Sequence, residues 1–280
     1  MKKLFMTMLI VLTCGATYAL PVGNPSDASL LCDGLFLEGH CGDPCDPCIS
    51  WCEAFSVRLG FYGDYVFNRH MEINRHEDSS DVEHTQISTN AAFVAANFWD
   101  RLDIFATFGA TNMIIDTNAS AFGGPNGTRL EIETESDFSW SVGARGTIWE
   151  CGCTSLGAEA QYFETRPDIR RVTLASVTSS YPDAILNAKY QEWQVGVGIS
   201  HRINMFVPYI ALKWSHAKTD MDNAIFGGTL TGVTLYKNES KKHIGYAVGV
   251  SLVDCEKASL TVEGRFGDEK ALYVGGQIRF

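Results

Sequence analysis

The chain has 280 residues, with 22 Lys and Arg against 33 Asp and Glu, so its formal net charge is −11. This acidic balance argues against a nucleic-acid binder, which usually presents a basic face, and a hydrophobic content of 45% argues against general disorder. A mean hydropathy of −0.04 excludes a bundle of membrane helices but not a membrane barrel, whose strands average an apolar and a polar face.

Residues 1–19 are predicted to form a secretory signal peptide. Lys2 and Lys3 supply its charged start, and the apolar core that follows is too short to span a bilayer. Ala19 completes a site of small residues suitable for cleavage before Leu20. The sequence therefore predicts an exported protein.

Eight cysteines follow this leader, an even number that indicates disulfides in an exported chain. They are Cys32, Cys41, Cys45, Cys48, Cys52, Cys151, Cys153 and Cys255. The first cluster could instead hold a metal, but its spacing departs from the two short pairs of a structural zinc site. No metal or other cofactor is therefore predicted. Cys151 and Cys153 are too close for an unstrained bond to each other, so each is expected to pair elsewhere.

From residue 54 onward, apolar and polar residues alternate with the two-residue period of a β-strand. Phe138 and Val142 share one parity, for example, while Ser141 and Arg145 share the other. Ten such strands are predicted, at residues 54–67, 86–98, 103–114, 137–149, 155–164, 188–200, 206–216, 243–253, 258–266 and 271–280. Short turns and long polar loops alternate between them, which is typical of an outer-membrane barrel whose short turns face the periplasm.

The predicted fold class is therefore all-β, a transmembrane antiparallel β-barrel with an even number of strands. Strand-like pieces within the loops, at 129–133, 169–174 and 230–236, would add strands in pairs, so the number lies between 10 and 16. A soluble β-sandwich or barrel is the alternative. One face of every strand is apolar with aromatic ends, however, and the other carries charge and glycine rather than a second apolar layer, which favours the membrane barrel.

The predicted organisation has three parts. These are a signal peptide at 1–19, a Cys-rich periplasmic segment at 20–53 and a transmembrane barrel at 54–280. With ten strands, both termini and all eight mature cysteines fall on the periplasmic side. A disulfide network facing the periplasm is expected there.

Several long motifs resemble the chlamydial major outer membrane porin family, and this chain looks like a short-loop member. The motifs lie at 20–25, 42–48, 51–52, 62–67, 97–105, 138–146, 149–153, 192–196 and 207–210. The resemblance runs from the leader to Phe280 and implies a general porin and surface antigen of the bacterial cell outer membrane. It also implies a homotrimer, disulfide links to other envelope proteins and a barrel usually drawn with 16 strands. The polar loops near 68–85, 115–136, 165–187 and 217–242 lie where family members carry longer variable segments.

A closed barrel with a polar interior predicts passive diffusion of ions and small polar solutes, provided that the barrel is wide enough. The charged residues with inward parity are Arg58, Asp64, Arg145, Glu159, Glu192, Lys213, Glu263, Arg265 and Arg279. Each could instead form an ion pair within the wall. The main candidates for selectivity are Arg58 and Arg145, which are long cations in mid-strand. A dry centre filled with side chains would contradict the transport prediction.

Two other functions are weighed against the porin. A surface-exposed adhesin or antigen could use a plugged barrel, in which no solute passes. An enzyme would need a cluster of catalytic residues at the rim. Ser200-His201 and Ser215-His216 are adjacent pairs, but neighbours on a strand point to opposite faces and cannot form a dyad. No catalytic residue is predicted. The predicted partners are outer-membrane lipid, further copies of the chain and envelope proteins, and not nucleic acid.

Overall fold

A computed structural model of the chain describes residues 20–31, 55–74, 79–122, 124–180, 187–221, 237–254 and 257–280. The part described contains one short α-helix, α1 (Asp27–Leu30), one 3₁₀ turn (Ala119–Phe122) and sixteen strands. None of its helices has the length and apolar character needed to cross a membrane.

The strands differ in length, and the long ones alone build the wall of the molecule. In chain order they are β1 (Phe55–Arg69), β2 (Met71–Asn74), β3 (Ser79–Val82), β4 (His84–Phe98), β5 (Leu102–Asn118), β6 (Arg129–Thr134), β7 (Asp137–Cys151), β8 (Thr154–Thr165), β9 (Ile169–Leu174), β10 (Val177–Ser180), β11 (Ala188–His201), β12 (Phe206–Met221), β13 (Asn238–Ser240), β14 (Ile244–Asp254), β15 (Ala258–Phe266) and β16 (Glu269–Arg279).

Ten strands close into a ring in which every pairing is antiparallel. The order around it is β1, β4, β5, β7, β8, β11, β12, β14, β15 and β16. The ring closes where β16 pairs with β1, with Arg279 opposite Arg58. Each of these strands has two neighbours, so the ring has no free edge, as a bilayer requires. The ten strands predicted from the periodicity are the ten strands of this ring.

The figure of 16 strands that the resemblance implied is not the number in the ring. The six additional strands, β2, β3, β6, β9, β10 and β13, have only three to six residues each. A strand that crosses a bilayer needs about 9–11 residues, so these pieces extend the loops at one end. Two of them were expected at 129–133 and 169–174. The piece predicted at 230–236 lies outside the described residues.

The two faces of the wall follow the predicted parity. Phe61, Phe138 and Ile244 point outward and are more than half exposed, whereas Ser141 and Arg265 point inward and are completely buried. The outward residues form the apolar band that contacts lipid.

The short turns share one end of the barrel with the start of β1 and the end of β16. There the Phe280 amide donates to the Val57 carbonyl oxygen at 2.8 Å. The turn between β4 and β5 has positive φ at both Trp99 and Asp100, 52° and 51°, as the tightest hairpin turns require. In outer-membrane barrels such turns face the periplasm.

At the opposite end, the long loops fold into an apolar cluster, which we call the dome. It consists mainly of buried Met71, Ile73, Val82, Ile87, Met113, Ile115, Phe122, Leu130, Ile132, Phe163, Ile169, Val172, Leu174, Tyr190 and Met221. The short strands hold these side chains in place, since β6 pairs with both β5 and β9. The dome gives the long-loop end an apolar core of its own.

Candidate functional site: the barrel interior

The nine charged residues predicted to line a pore all lie on the inner face of the wall. Arg58, Glu192, Glu263 and Arg265 are completely buried, and the side chain of Arg145 is 11% exposed. The other four, which are at most 7% exposed, are Asp64, Glu159, Lys213 and Arg279. Their inward parity is observed, whereas their role in a pore stays a prediction.

A second segment of the chain fills the space that the ring encloses. Residues 20–31, which we call the strap, run through the interior and end just after α1, and Leu20, Val22, Asn24 and Leu31 are each less than 5% exposed. The sequence predicted a periplasmic location for the whole of residues 20–53. The structure places residues 20–31 inside the barrel instead, because the polar wall satisfies their backbone groups. Residues 32–54 lie outside the described residues.

Near the short-turn end, Arg58 holds the helical part of the strap. Its guanidinium donates to the backbone carbonyl oxygens of Asp27 at 2.5 Å, Ala28 at 2.9 Å and Leu31 at 3.2 Å. Asn97 donates to the Ala28 carbonyl oxygen at 2.9 Å. These bonds satisfy carbonyl groups that a helix leaves unpaired at its C-terminal end.

The strap also carries a carboxylate into this part of the wall. Arg145 pairs with Asp27 of the strap at 2.6 Å and with Asp103 of the wall at 2.8 Å. Asp103 also pairs with Arg58 at 3.0 Å. The Asp103 carboxylate is thus shared by two guanidinium groups, and Asp27 supplies a second anion for them.

Arg279 completes this cluster at the short-turn end. It pairs with Asp100 at 2.5 Å and also donates to the Leu31 carbonyl oxygen. Burial raises the pKa of Asp100 above its ordinary value, although the Arg279 guanidinium opposes that shift. We call Arg58, Arg145, Arg279, Asp100 and Asp103 the lower cluster; the buried Glu159 lies directly opposite Arg145 on β8.

Midway along the barrel, Glu263 binds the extended part of the strap. Its two oxygens accept the backbone N–H groups of Val22 and Gly23, each at 2.9 Å. The Tyr209 hydroxyl donates to the same carboxylate at 2.7 Å, and Arg265 lies 3.3 Å from it. Hydrogen bonds to an ionised carboxylate are among the strong ones.

Toward the long-loop end, a further group of charges spans the interior, and we call it the upper cluster. Arg69 pairs with Glu192 at 3.0 Å, Asp268 at 2.9 Å and Glu269 at 2.9 Å. Lys213 pairs with Asp268 at 3.1 Å and also with Glu269. All five side chains are completely buried, so they are compensated by each other and not by water.

Between the two clusters, Arg265 links neighbouring strands. It pairs with Asp64 at 2.7 Å and with Glu269 at 2.7 Å. Eight of the nine predicted residues, all except Glu159, thus take part in ion pairs within a lower and an upper group, which is the alternative that the sequence left open for each charged residue.

Little space remains inside. Three interior cavities have volumes of only about 10 to 20 Å³ each, enough for about one water molecule. The expectation of a water-filled lumen is therefore not met in this conformation. Two causes are visible: a ring of ten strands is only slightly wider than the eight-stranded barrels whose side chains fill their centre, and the strap takes up what is left.

The cysteines are described only in part. Cys151 and Cys153 are exposed at the short turn between β7 and β8 and are not bonded to each other. The other six predicted disulfide residues, Cys32, Cys41, Cys45, Cys48, Cys52 and Cys255, lie outside the described residues. Within the described ranges, no group of three potential ligands is arranged to hold a metal ion.

Sequence reasoning missed several members of these clusters. Arg69 lies beyond the predicted end of the first strand at residue 67, and Asp268 and Glu269 lie between the strands predicted at 258–266 and 271–280. Asp103 had the inward parity and could have been found, since it lies directly opposite Arg145 on β7. No pattern in the sequence marks Arg69, Asp268 or Glu269, because β1 and β16 extend beyond the stretches in which apolar and polar residues alternate.

A closed ring with a lipid-facing band and a polar interior defines an outer-membrane β-barrel. The family model described as Chlamydia major outer membrane protein matches this chain in overlapping segments at 1–86, 76–127, 125–183, 175–229 and 227–280. A protein named major outer membrane porin from Chlamydia pneumoniae is 35% identical over 389 aligned residues, covering all of both chains. The chain therefore belongs to the chlamydial major outer membrane protein family, as the resemblance indicated.

Other relatives are similarly distant. Proteins of the same name from Chlamydia psittaci and, for serovar L1, Chlamydia trachomatis are 34% and 32% identical, again over the full length of both chains. The first alignment has 389 positions and this chain has 280 residues, so 389 − 280 = 109 positions of that alignment are gaps in this chain. Among solved structures, the outer membrane protease OmpT from Escherichia coli is 14% identical, with a TM-score of 0.42, over 81% of this chain and 96% of that one.

Proposed function

We propose that this protein is a porin through which ions and small polar solutes diffuse passively across the outer membrane. The observation that carries the proposal is the full-length family match to proteins named porins, together with a closed ring whose inner face is polar. A polar inner face is what a conducting barrel needs, because ions lose part of their hydration on entry.

The proposal includes two assemblies that the family resemblance implied. One is a homotrimer, and the other is a disulfide-linked outer envelope in which cysteines at the short-turn end join neighbouring proteins. The exposure of Cys151 and Cys153 supports the second, since both thiols are accessible from that end. Electrophoresis without reducing agent would test it, and a monomeric band that is unchanged by reductant would contradict it.

The filled interior favours a second function, that of a plugged barrel serving as a surface adhesin or antigen. Planar bilayer recordings and liposome swelling with small sugars separate the two functions. A porin shows discrete conductance steps and swells the liposomes. A plugged barrel that is folded, as judged by its circular dichroism, does neither.

A further inference from the structure

The inner wall contains a groove shaped for the strap. Gly157 and Gly198 lie opposite each other on β8 and β11. A Cβ on Gly157 would overlap the Pro25 carbonyl oxygen, and a Cβ on Gly198 would lie 2.6 Å from Pro25 Cγ. The absence of side chains at these positions lets the strap backbone approach the wall closely.

A third glycine, Gly196 on β11, lies closer to the strap than to the wall. A Cβ on Gly196 would lie 2.8 Å from Val22 Cγ1, whereas its nearest wall atom, the Leu212 carbonyl oxygen, is 3.6 Å away. The wall therefore leaves room for a side chain at position 196. The strap is what leaves no room for one.

The wall complements the strap in charge as well as in shape. Asp27 of the strap pairs with Arg145 of the lower cluster at 2.6 Å. Farther along, Glu263 receives two consecutive strap amides. The barrel thus has a binding site for this segment of its own chain.

The ring does not depend on the strap. Each of its ten strands bonds to its two neighbours in the ring, and none of these ladders includes a strap residue. The wall also retains charge partners without it: Asp103 for Arg58 and Arg145, and Asp100 for Arg279. Water entering the interior can replace the hydrogen bonds that the strap makes, so its departure leaves a closed and hydrated barrel.

We infer that the strap is the gate of the channel, an autoinhibitory segment that closes the lumen when bound and opens it when released toward the short-turn end. The inference rests on the proposed porin function. Release also affects the other end, because Leu20 packs in the dome, against the cluster that includes Ile87 and Phe163. Withdrawal of the strap therefore removes an apolar member of the dome and admits water beneath the upper cluster, whose Arg69–Glu192 pair joins β1 to β11 across the ring and must separate as the lumen opens.

The experiment compares refolded chains in planar bilayers. One chain begins at residue 20, a second begins at residue 32 and lacks the strap, and a third is the full mature chain with Gly196→Val. Gly276→Val is the matched control, because a Cβ there has no neighbour closer than 3.7 Å and none from the strap. Circular dichroism and thermal unfolding in detergent establish that each chain is folded.

We expect the chain without the strap to conduct most of the time. Gly196→Val should raise the conducting fraction about tenfold, since overpacking weakens a packed contact by roughly five- to a hundredfold in equilibrium terms. Gly276→Val should match the parent. Adding Gly196→Val to the chain that begins at residue 32 should not change the conducting fraction further, because that chain lacks Val22, the residue that the new side chain would displace.

The outcomes separate this inference from the porin proposal. If the chains beginning at 20 and at 32 conduct equally, the gate is refuted while the porin stands. If Gly196→Val and Gly276→Val raise conductance equally, or if Gly196→Val still acts without the strap, the gate is also refuted. If every folded chain is silent, the porin proposal fails and the gate with it.

Discussion

The dome and the upper cluster lie next to each other, yet they are held together by opposite means. The dome buries methyl and aromatic groups such as Ile132 and Phe122, whereas the upper cluster buries Arg69 among three carboxylates. Apolar burial is stabilising in proportion to the area removed from water. A buried ion pair returns little net stability, but losing one partner is costly. A barrel interior can therefore be tightly packed without being apolar.

The largest expected effect is at Arg69. Arg69→Met leaves Glu192, Asp268 and Glu269 with less positive charge in a buried site, so we expect a loss of about 4 kcal/mol in the free energy of unfolding. Urea unfolding in detergent, followed by tryptophan fluorescence, measures it. Arg129→Met is the control, because that side chain is 68% exposed in its ion pair with Asp116 and should change the free energy of unfolding far less. Equal losses in the free energy of unfolding for the two variants would contradict the expectation that a buried ion pair is more sensitive to the loss of one partner than an exposed pair.

A somewhat smaller effect is expected in the dome. Ile132→Ala removes a buried side chain from the apolar cluster and should cost about 3 kcal/mol, the transfer term together with the cavity left behind. The same unfolding measurement applies, with exposed Val177→Ala as the control. Ile132→Val should recover most of the loss, since most of the volume is restored. A loss as small as that of Val177→Ala would mean that the dome is not a packed core.

The smallest effect is expected from a single neutral hydrogen-bonding group. The Ser251 hydroxyl lies 2.7 Å from that of Thr261 and accepts from Asn24 of the strap at 3.0 Å. Ser251→Ala should cost about 1 kcal/mol, and the exposed Thr178→Ala should cost close to nothing. A cost near that of Arg69→Met would show that neutral and charged groups of the interior are equally important.

Local sequence predicted the strands and their faces well. Alternation of residues such as Phe138 and Ser139 depends only on the two-residue period of an extended chain, and it located all ten strands of the ring. It located the ends less well. The alternation predicts that the last strand begins at residue 271, because the charged pair Asp268-Glu269 after Gly267 carries no apolar alternation, whereas in the structure β16 begins at Glu269.

The partners of the inward charges could not be predicted in the same way. The parity of Arg265 gives its direction, but its contact with Asp64 joins residues 201 positions apart in the chain. That proximity depends on the closure of the ring between β1 and β16 and on the register of the strands that lie between. A one-residue change of register would move every such side chain to the other face.

By itself, the sequence determined the strand period, the lipid-facing and inward faces, the alternation of turns and loops, and membership of the family. Only the tertiary structure decided that the interior is filled and that residues 20–31 fill it. The physical reason is that the alternation is a property of neighbouring residues, whereas the width of the ring and the partner of Glu263, which lies 241 positions from Val22, arise only when the strands close into a cylinder.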